Sequence, residues 1–298
     1  MPYSPGYSPP PGSVVGDLVT VSSYLHSPTR VQRLVEALTP ESRFIANRFF
    51  APGPPISGGA AIYDQVTSAD LYTSRDVEII AEGSAIPVLD DTAPTSKLAG
   101  AAAYGGAFKV TDQAKKRNQF DVLVRGARKL SNTIVRKVDG VAIAALDAAP
   151  ISSFAGTDWT VASGDTMIAN LIDAGEVINA LEMGYAVDSV ALHPTQFNEL
   201  LKNAVFRDAM TRGAAEDSLL RDGMIGTFLG WQFGKSYRIT AGTGYIGSSN
   251  MAGFISDETT LTTEIIPWRL HRATYVTGYR EVVIGVTDPK SVVRLTGI

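Results

Sequence analysis

The chain has 298 residues, 45% of them hydrophobic and 19% charged, a globular composition that excludes disorder as the whole answer. Its 26 basic and 30 acidic side chains give a formal charge of -4, so no global basic field draws it onto nucleic acid, and such a role needs a local patch. Zero cysteines exclude a disulfide framework, a thiolate nucleophile and a cysteine-based zinc site, and suit a reducing compartment.

The chain starts with "MPYSPGYSPPPG", which has neither the basic nor the apolar region of a secretory signal. Its prolines favour a polyproline-like extended arm with few backbone donors. No window approaches the ~20 apolar residues that span a bilayer. In "SPTRVQRLVEAL", Ser27 is an N-cap, Pro28 takes the first helical position, and Val31, Leu34, Val35 and Leu38 fall at helical spacing. After the hinge "FFAPGPPISGG", the stretches "AAIYDQV", "DVEIIAEGSAIPV" and "SKLAGAAAYGGAFKVTD" read as strands separated by turns. Their apolar residues are small or sparse, and a two-stranded ribbon is marginal alone in water, so this one needs a neighbour to lie on.

The strongest helical signal runs from Asn118 to Ala148. Phe120, Leu123, Ala127, Leu130, Ile134, Val138, Val141 and Ala145 make one apolar stripe, on a helix of roughly 45 Å. Arg125, Arg128, Lys129, Arg136 and Lys137 occupy its other faces, either as a solvated surface or as an interior surface near polyanion. "SGDTMIANLIDAGEVINALEMG" reads as a second helix, capped at its start and closed at Gly184. Val187–Leu192 reads as a buried strand that leads into a helix near Pro194. Beyond Gly226 short strands dominate, and Val276, Val282, Ile284 and Val286 suit a long antiparallel strand with one buried face. The expected class is α+β.

Little in the chain points to catalysis. His26, His193 and His271 are mutually isolated and read as structural, since metal and triad sites need convergent ligands. There is no GxSxG elbow. Adjacent Asp90 and Asp91 would point to opposite faces of a strand and read as turn residues. "GTGYIG", Gly242 to Gly247, has the spacing of a dinucleotide fingerprint, but "SSNMAGFIS" after it reads as a turn into a strand rather than a helix. It is expected to be a glycine-rich loop tip, and no catalytic, metal or cofactor site is expected.

The order of these segments, with "KVTDQA", "ALHPTQFNELL", "LGWQFGKS", "MAGFISDETTLTTE" and "GYREVVIGVTDPKSVVRLTG", resembles the major capsid proteins of tailed double-stranded DNA bacteriophages, the Hong Kong phage-type fold shared with encapsulins. The resemblance implies an N-terminal arm (1–57), an extended β-ribbon loop (58–111), a peripheral domain with a long spine helix (112–164) and an α/β axial domain (165–254). In 255–298 it implies peripheral-domain strands, the last returning to the axial domain. It also implies a structural protein that self-assembles as pentamers and hexamers into an icosahedral shell around the phage genome, in a virion assembled in the host cytoplasm. Scaffolding, portal and decoration proteins are further partners of such a shell, and no membrane is involved.

By the same resemblance the loop tip, Glu82, Gly83, Ile86, Pro87 and Val88, contacts a neighbouring subunit, while Arg125, Arg128 and Lys129 are candidates to face packaged DNA non-specifically. Two departures stand out. Some relatives carry a cross-linking lysine before the tip proline, where this chain has Ile86. About fifty residues precede the ribbon, too few for a large N-terminal scaffolding domain, which implies a separate scaffold or none. The alternatives are an encapsulin-like nanocompartment and a nucleotide-dependent enzyme built on "GTGYIG".

Overall fold

The computed structural model of the chain describes residues 20–39, 46–67, 77, 79–80, 82–84, 86, 95–204, 206 and 227–298. The Pro-rich start, most of "DVEIIAEGSAIPV", and Asp90 and Asp91 lie outside the described residues.

Helix α1 (Val21–Leu25) is capped by Thr20, whose hydroxyl accepts from the Ser23 N–H. Helix α2 (Pro28–Leu38) begins on its proline as expected, although Ser27 makes no side-chain cap bond. Strands β1 (Phe50–Pro52), β2 (Ala60–Gln65), β3 (Thr95–Gly100) and β4 (Ala102–Thr111) follow. Thr111 caps the short α3 (Asp112–Lys116), and α4 (Phe120–Ala148) runs for 29 residues, about 43 Å. The expected long helix starts at Phe120 rather than Asn118 because Asn118 is left-handed, with φ 49°. Its side-chain carbonyl accepts from the Val21 N–H at 2.8 Å, so this turn caps α1 instead of extending α4.

Next come β5 (Ser152–Ala155), α5 (Gly164–Asn179), β6 (Ser189–Leu192) and α6 (Pro194–Lys202). Helix α5 ends before Gly184, because Glu182 and Gly184 both take positive φ and unwind the last predicted turn. The chain continues through β7 (Thr227–Phe228), β8 (Trp231–Lys235), β9 (Thr243–Gly247), β10 (Gly253–Trp268), β11 (Ala273–Gly285) and β12 (Val292–Thr296). In β11 inward positions alternate up to Val282. There the phase changes: Val283 is buried, Ile284 only half-buried, and Val286 is buried past the strand's end.

The chain divides into two compact units. The first comprises 1–44, 101–138 and 257–282. Its strands pair antiparallel, β4 with β11 from Thr111↔Ala273 to Ala102↔Val282. Its core joins Val21, Leu25 and Val31 of the first two helices to Val110, Leu123 and Val276, each worth roughly 1.5–3 kcal/mol when fully buried. Contact between helix and sheet is close. A side chain on Gly126 would lie 2.3 Å from the Phe108 ring, and one on Gly278 would lie 2.8 Å from Leu130. Fully buried Ser131 donates to the Leu38 carbonyl at 2.8 Å and accepts from Thr39 at 2.6 Å, tying the end of α2 to α4.

The second unit comprises 45–100, 139–256 and 283–298. Its six-stranded mixed sheet has the order β5-β12-β9-β6-β8-β7. Leu171 and Ile178 of α5 and Phe197 and Leu200 of α6 pack on Val190, Leu192, Ile246, Val293 and Leu295. The "GTGYIG" segment is not a loop tip. It forms β9, buried at every residue, between β12 and β6. Its glycines leave room for close neighbours: a side chain on Gly244 would meet Leu192 at 2.5 Å, and one on Gly247 would meet the Ser291 carbonyl at 2.6 Å.

Candidate subunit-contact surfaces

Strands β2 and β3 form a two-stranded antiparallel ribbon, in register from Ala60↔Gly100 to Gln65↔Thr95. Its Gln65–Thr95 end, from which the chain leaves for the loop 66–94, is fixed within the second unit. The Gln65 amide donates to the Val286 carbonyl at 3.0 Å, Val66 N–H donates to the Thr287 carbonyl at 2.8 Å, and Tyr63 stacks edge-on against Phe254. Gly285 is needed here, because a side chain on it would meet the Phe254 and Tyr63 rings. Between its two ends, one face of the ribbon lies open to water among the described residues. Ile62 and Leu98 sit directly opposite each other and are 78% and 69% exposed, a cross-strand apolar pair that water covers in the free chain.

Toward the expected tip, Glu82 is exposed, Gly83 takes φ 81° in a turn, and Ile86 is 75% exposed. Pro87 and Val88 lie outside the described residues. Val77, Ile79 and Ile80 are exposed as well. Large apolar side chains open to water on an element without a core form a surface suited to protein contact.

On α4 the basic residues form a single row. Leu123, Ala127, Leu130, Ile134 and Val138 are buried, and on the opposite side Arg125, Arg128, Lys129 and Arg136 are exposed. The row spans about 16 Å of helix. None of the four is within salt-bridge distance of a carboxylate among the described residues. Lys137 turns aside, its ammonium 5.5 Å from the centre of the Tyr104 ring. Like charges at helical spacing repel, so this row is mildly unfavourable until an anion covers it. Two kinds of polyanion suit it, a phosphodiester backbone and a carboxylate-rich protein segment.

Other polar sites are occupied structurally. His193 caps α6, its Nδ1 accepting from Thr195 N–H at 3.2 Å. His26 bonds its own helix and His271 rests against Trp268. Tyr245 donates to Asp147 at 2.5 Å, and Arg294 lies 3.4 Å from the same carboxylate. Burial, then the hydrogen bond to Asp147 and its charge, push the Tyr245 phenol well above its ordinary pKa. After "GTGYIG" the chain turns into β10, so no helix opens directly after that segment. Among the described residues no cluster of three or more His, Asp or Glu could hold a metal ion, and no helix is long and apolar enough to cross a membrane.

One exposed surface was not foreseen from the sequence. At the β10–β11 turn, Ile266, Trp268 and Leu270 are exposed, Leu270 by 90%, beside Arg269 and Arg272. The signal was available in "IIPWRLHR", where bulky apolar and basic residues alternate after a proline.

A family model described as phage capsid protein matches residues 95–295, well over half of the chain. No curated protein matches. Among solved structures, the chain is similar to the virus-like particle from Pyrococcus furiosus, with a TM-score of 0.61 at 12% identity over 90% of this chain and 98% of that one. It is also similar to the capsid of the cyanophage P-SCSP1u, at 0.59 and 14% over 98% of both chains. For the capsid of Myoviridae phage XM1 the values are 0.57 and 14%, over 85% of this chain and 90% of that one. Identities this low carry the fold, and that fold is the Hong Kong phage type. Helix α4 with the strand pairs of the first unit, the six-stranded sheet of the second and the core-free ribbon all accord with it, and the chain belongs to the phage capsid protein family.

Proposed function

We propose that this capsid protein is the major head protein of a tailed phage. Copies of it would associate as pentamers and hexamers, close an icosahedral shell in the host cytoplasm, and enclose double-stranded DNA. The observation that carries the proposal is the ribbon: fixed at its Gln65 end, it exposes Ile62 and Leu98, and Ile86 is exposed in the loop beyond. Such an element is marginal by itself and gains a core only from another copy. Reciprocal contacts repeated by symmetry hold a shell even where each one is modest. Glu82, Gly83, Ile86, Pro87 and Val88 would touch the neighbour, and the arm would add a further contact. Separate scaffolding, portal and decoration proteins are natural partners. The role is structural, with no reaction assigned.

The contact at the tip is non-covalent in this proposal. An isopeptide bond needs an amine, and Ile86 has only an alkyl chain. Expression of the chain alone followed by negative-stain microscopy should show closed shells or capsomer rings, and a boiled detergent gel of them should show one band at monomer mass. Small monodisperse particles would sink the shell reading, and a covalent ladder would sink the non-covalent one. Likeness to the virus-like particle from Pyrococcus furiosus favours a second reading, a nanocompartment. Nuclease-protected DNA of genome length in particles from the natural source would decide for the phage head.

A further inference from the structure

We propose that the exposed basic surface built jointly by α2 and α3, with Arg30, Arg33, Lys116 and Arg117, is a seat for the phosphate backbone of double-stranded DNA. This seat rests on the reading of the chain as a DNA-enclosing shell, and it names the surface that meets the enclosed polymer.

In the first unit α1 joins the two helices. Val21 and Leu25 of α1, Val31 of α2 and Ala114 of α3 share one core, and the Asn118 side-chain carbonyl just past α3 accepts from the Val21 N–H at 2.8 Å. Their outer sides are cationic. Arg30 and Arg33 are exposed on α2, and Lys116 and Arg117 are exposed where α3 ends, beside half-buried Lys115. The Arg30 guanidinium lies 6.0 Å from the centre of the Tyr24 ring, and Tyr24 packs edge-on against Phe120, which opens α4 after the Arg117–Gln119 turn. One tyrosine thus links the two basic pairs. Residues 20–39 and 112–119 together carry five basic and two acidic side chains, a formal +3, in a chain whose total is -4.

The make-up of this surface favours phosphate over protein. Among the described residues none of the four cations has a carboxylate within salt-bridge distance. Of the two acids on these helices, Glu36 accepts from Gln32 at 2.8 Å and Asp112 is half-buried at the start of α3. Helices α1, α2 and α3 expose no large apolar side chain among the described residues, whereas the first unit's Ile266, Trp268 and Leu270 are open at the β10–β11 turn. A protein interface is built around an apolar centre, while a phosphodiester backbone is held by charge and hydrogen bonds alone. Neutral donors stand among the cations. Gln113 and Gln119 are exposed, and Asn118, whose carbonyl is taken by Val21, has an amide NH2 without a hydrogen bond among the described residues, a mixture that suits backbone contacts without reading sequence.

The test uses the full chain as free subunits, below the concentration at which particles form, with a short labelled DNA duplex followed by fluorescence anisotropy. Four phosphate contacts give a slope of about -3.6 for log affinity against log salt, so binding should weaken about a hundredfold between roughly 50 and 200 mM sodium chloride. R30Q/R33Q and K116Q/R117Q should each flatten that slope by about 2 and weaken binding at least tenfold at about 100 mM salt. The loss should be equal for two unrelated sequences, and R30K/R33K should keep the wild-type slope. Circular dichroism checks that each variant folds. In filled heads Lys116 should resist amine acylation and become reactive once the DNA is expelled.

Slopes unchanged in both glutamine variants overturn the inference, as does a loss confined to R125Q/R128Q/K129Q. If the glutamine variants bind DNA normally and instead raise the concentration needed for assembly, the surface is a subunit contact and the inference falls. Equal acylation of Lys116 before and after DNA release overturns it too. The shell reading fails by a different result, the absence of any particle, which the anisotropy of free subunits does not report.

Discussion

Strands β3 and β9 are both glycine-bearing, and they meet opposite fates. In β9 every residue from Thr243 to Gly247 is buried, between two hydrogen-bonded neighbours and beneath a helix-covered core. In β3 Leu98 lies open to water, and the strand's single partner, β2, exposes Ile62 opposite it. Glycine content does not separate them. What separates them is how many elements of the same chain lie alongside, and in β9 the missing side chains let backbones close in, whereas in β3 they leave empty space. A strand of small residues is a core strand when its own chain supplies the neighbours, and a docking strand when another copy must.

The comparison is tested most severely at Gly247. A side chain there meets the Ser291 backbone carbonyl at 2.6 Å and Val292 at 2.8 Å, and backbone cannot step aside as a flexible side chain can. Gly247→Val should therefore destabilise the second unit by more than about 3 kcal/mol. Thermal melting of the free subunit reads this directly, and a melting point unchanged within 2 °C would mean that the sheet around β9 is loose.

The ribbon should behave in the opposite way. Ile62→Asp together with Leu98→Asp removes nothing from any core of the free subunit, so its melting point should hold within about 2 °C. Both charges would then be buried unpaired when a second copy covers this face, and the concentration required for assembly should rise at least tenfold. The same variants melting several degrees lower as free subunits would show that the apolar pair already packs within its own chain.

How much of this contrast the sequence reveals depends on the range of the interaction. Helix α4 is legible because eight apolar residues repeat at a local period, and its start was misplaced by only two residues, at an asparagine that caps a helix 97 positions away. The ribbon's want of a core is legible for the same reason, since apolar residues that are small or sparse are a local fact. Burial of "GTGYIG" is not. Closely spaced glycines carry a turn signal, and it is the long-range pairing with β12 and β6, with Leu192 and Ser291 packed close, that makes them a strand. For the same reason the phase change at Val283 and the Asp147–Tyr245–Arg294 cluster, whose members come from three separate elements, leave no trace in local spacing. The basic row of α4 was visible as residues, but its unpaired state required the folded chain.

A smaller effect is expected where β9 meets α4's last turns. The Tyr245 phenol is buried and hydrogen-bonded to Asp147, so its pKa is raised above the unfolded value of about 10. A group raised on folding contributes stability that is fully present below the unfolded pKa and lost as pH climbs toward the folded one. Stability of the free subunit should thus be flat in this respect up to about pH 10. Above it, stability should fall by at most about 1.4 kcal/mol per pH unit for this tyrosine. Tyr245→Phe should be less stable at neutral pH, through the lost hydrogen bond, and should show a shallower alkaline decline. An alkaline slope identical in both proteins would assign the loss elsewhere, with Tyr185, similarly raised by burial and by Asp288, as the next candidate.

The smallest effect is expected at Gly100, the ribbon's counterpart to Gly247. A side chain there meets nothing within 4 Å, and Gly100 lies opposite Ala60 at the end of the pairing. Gly100→Ala therefore encounters no steric penalty and restricts the unfolded chain, a local gain of about 0.4–1 kcal/mol. That gain should stay in the ribbon. A two-stranded ribbon with one face open to water opens at a lower cost than the six-stranded sheet, so the melting point of the free subunit should move by less than 2 °C. Amide exchange at Ala61 and Tyr63 should slow by about two- to fivefold. A rise of several degrees in the melting point would instead show that the ribbon unfolds together with the six-stranded sheet. In that case β3 would be a core strand like β9, and the distinction between the two would fail.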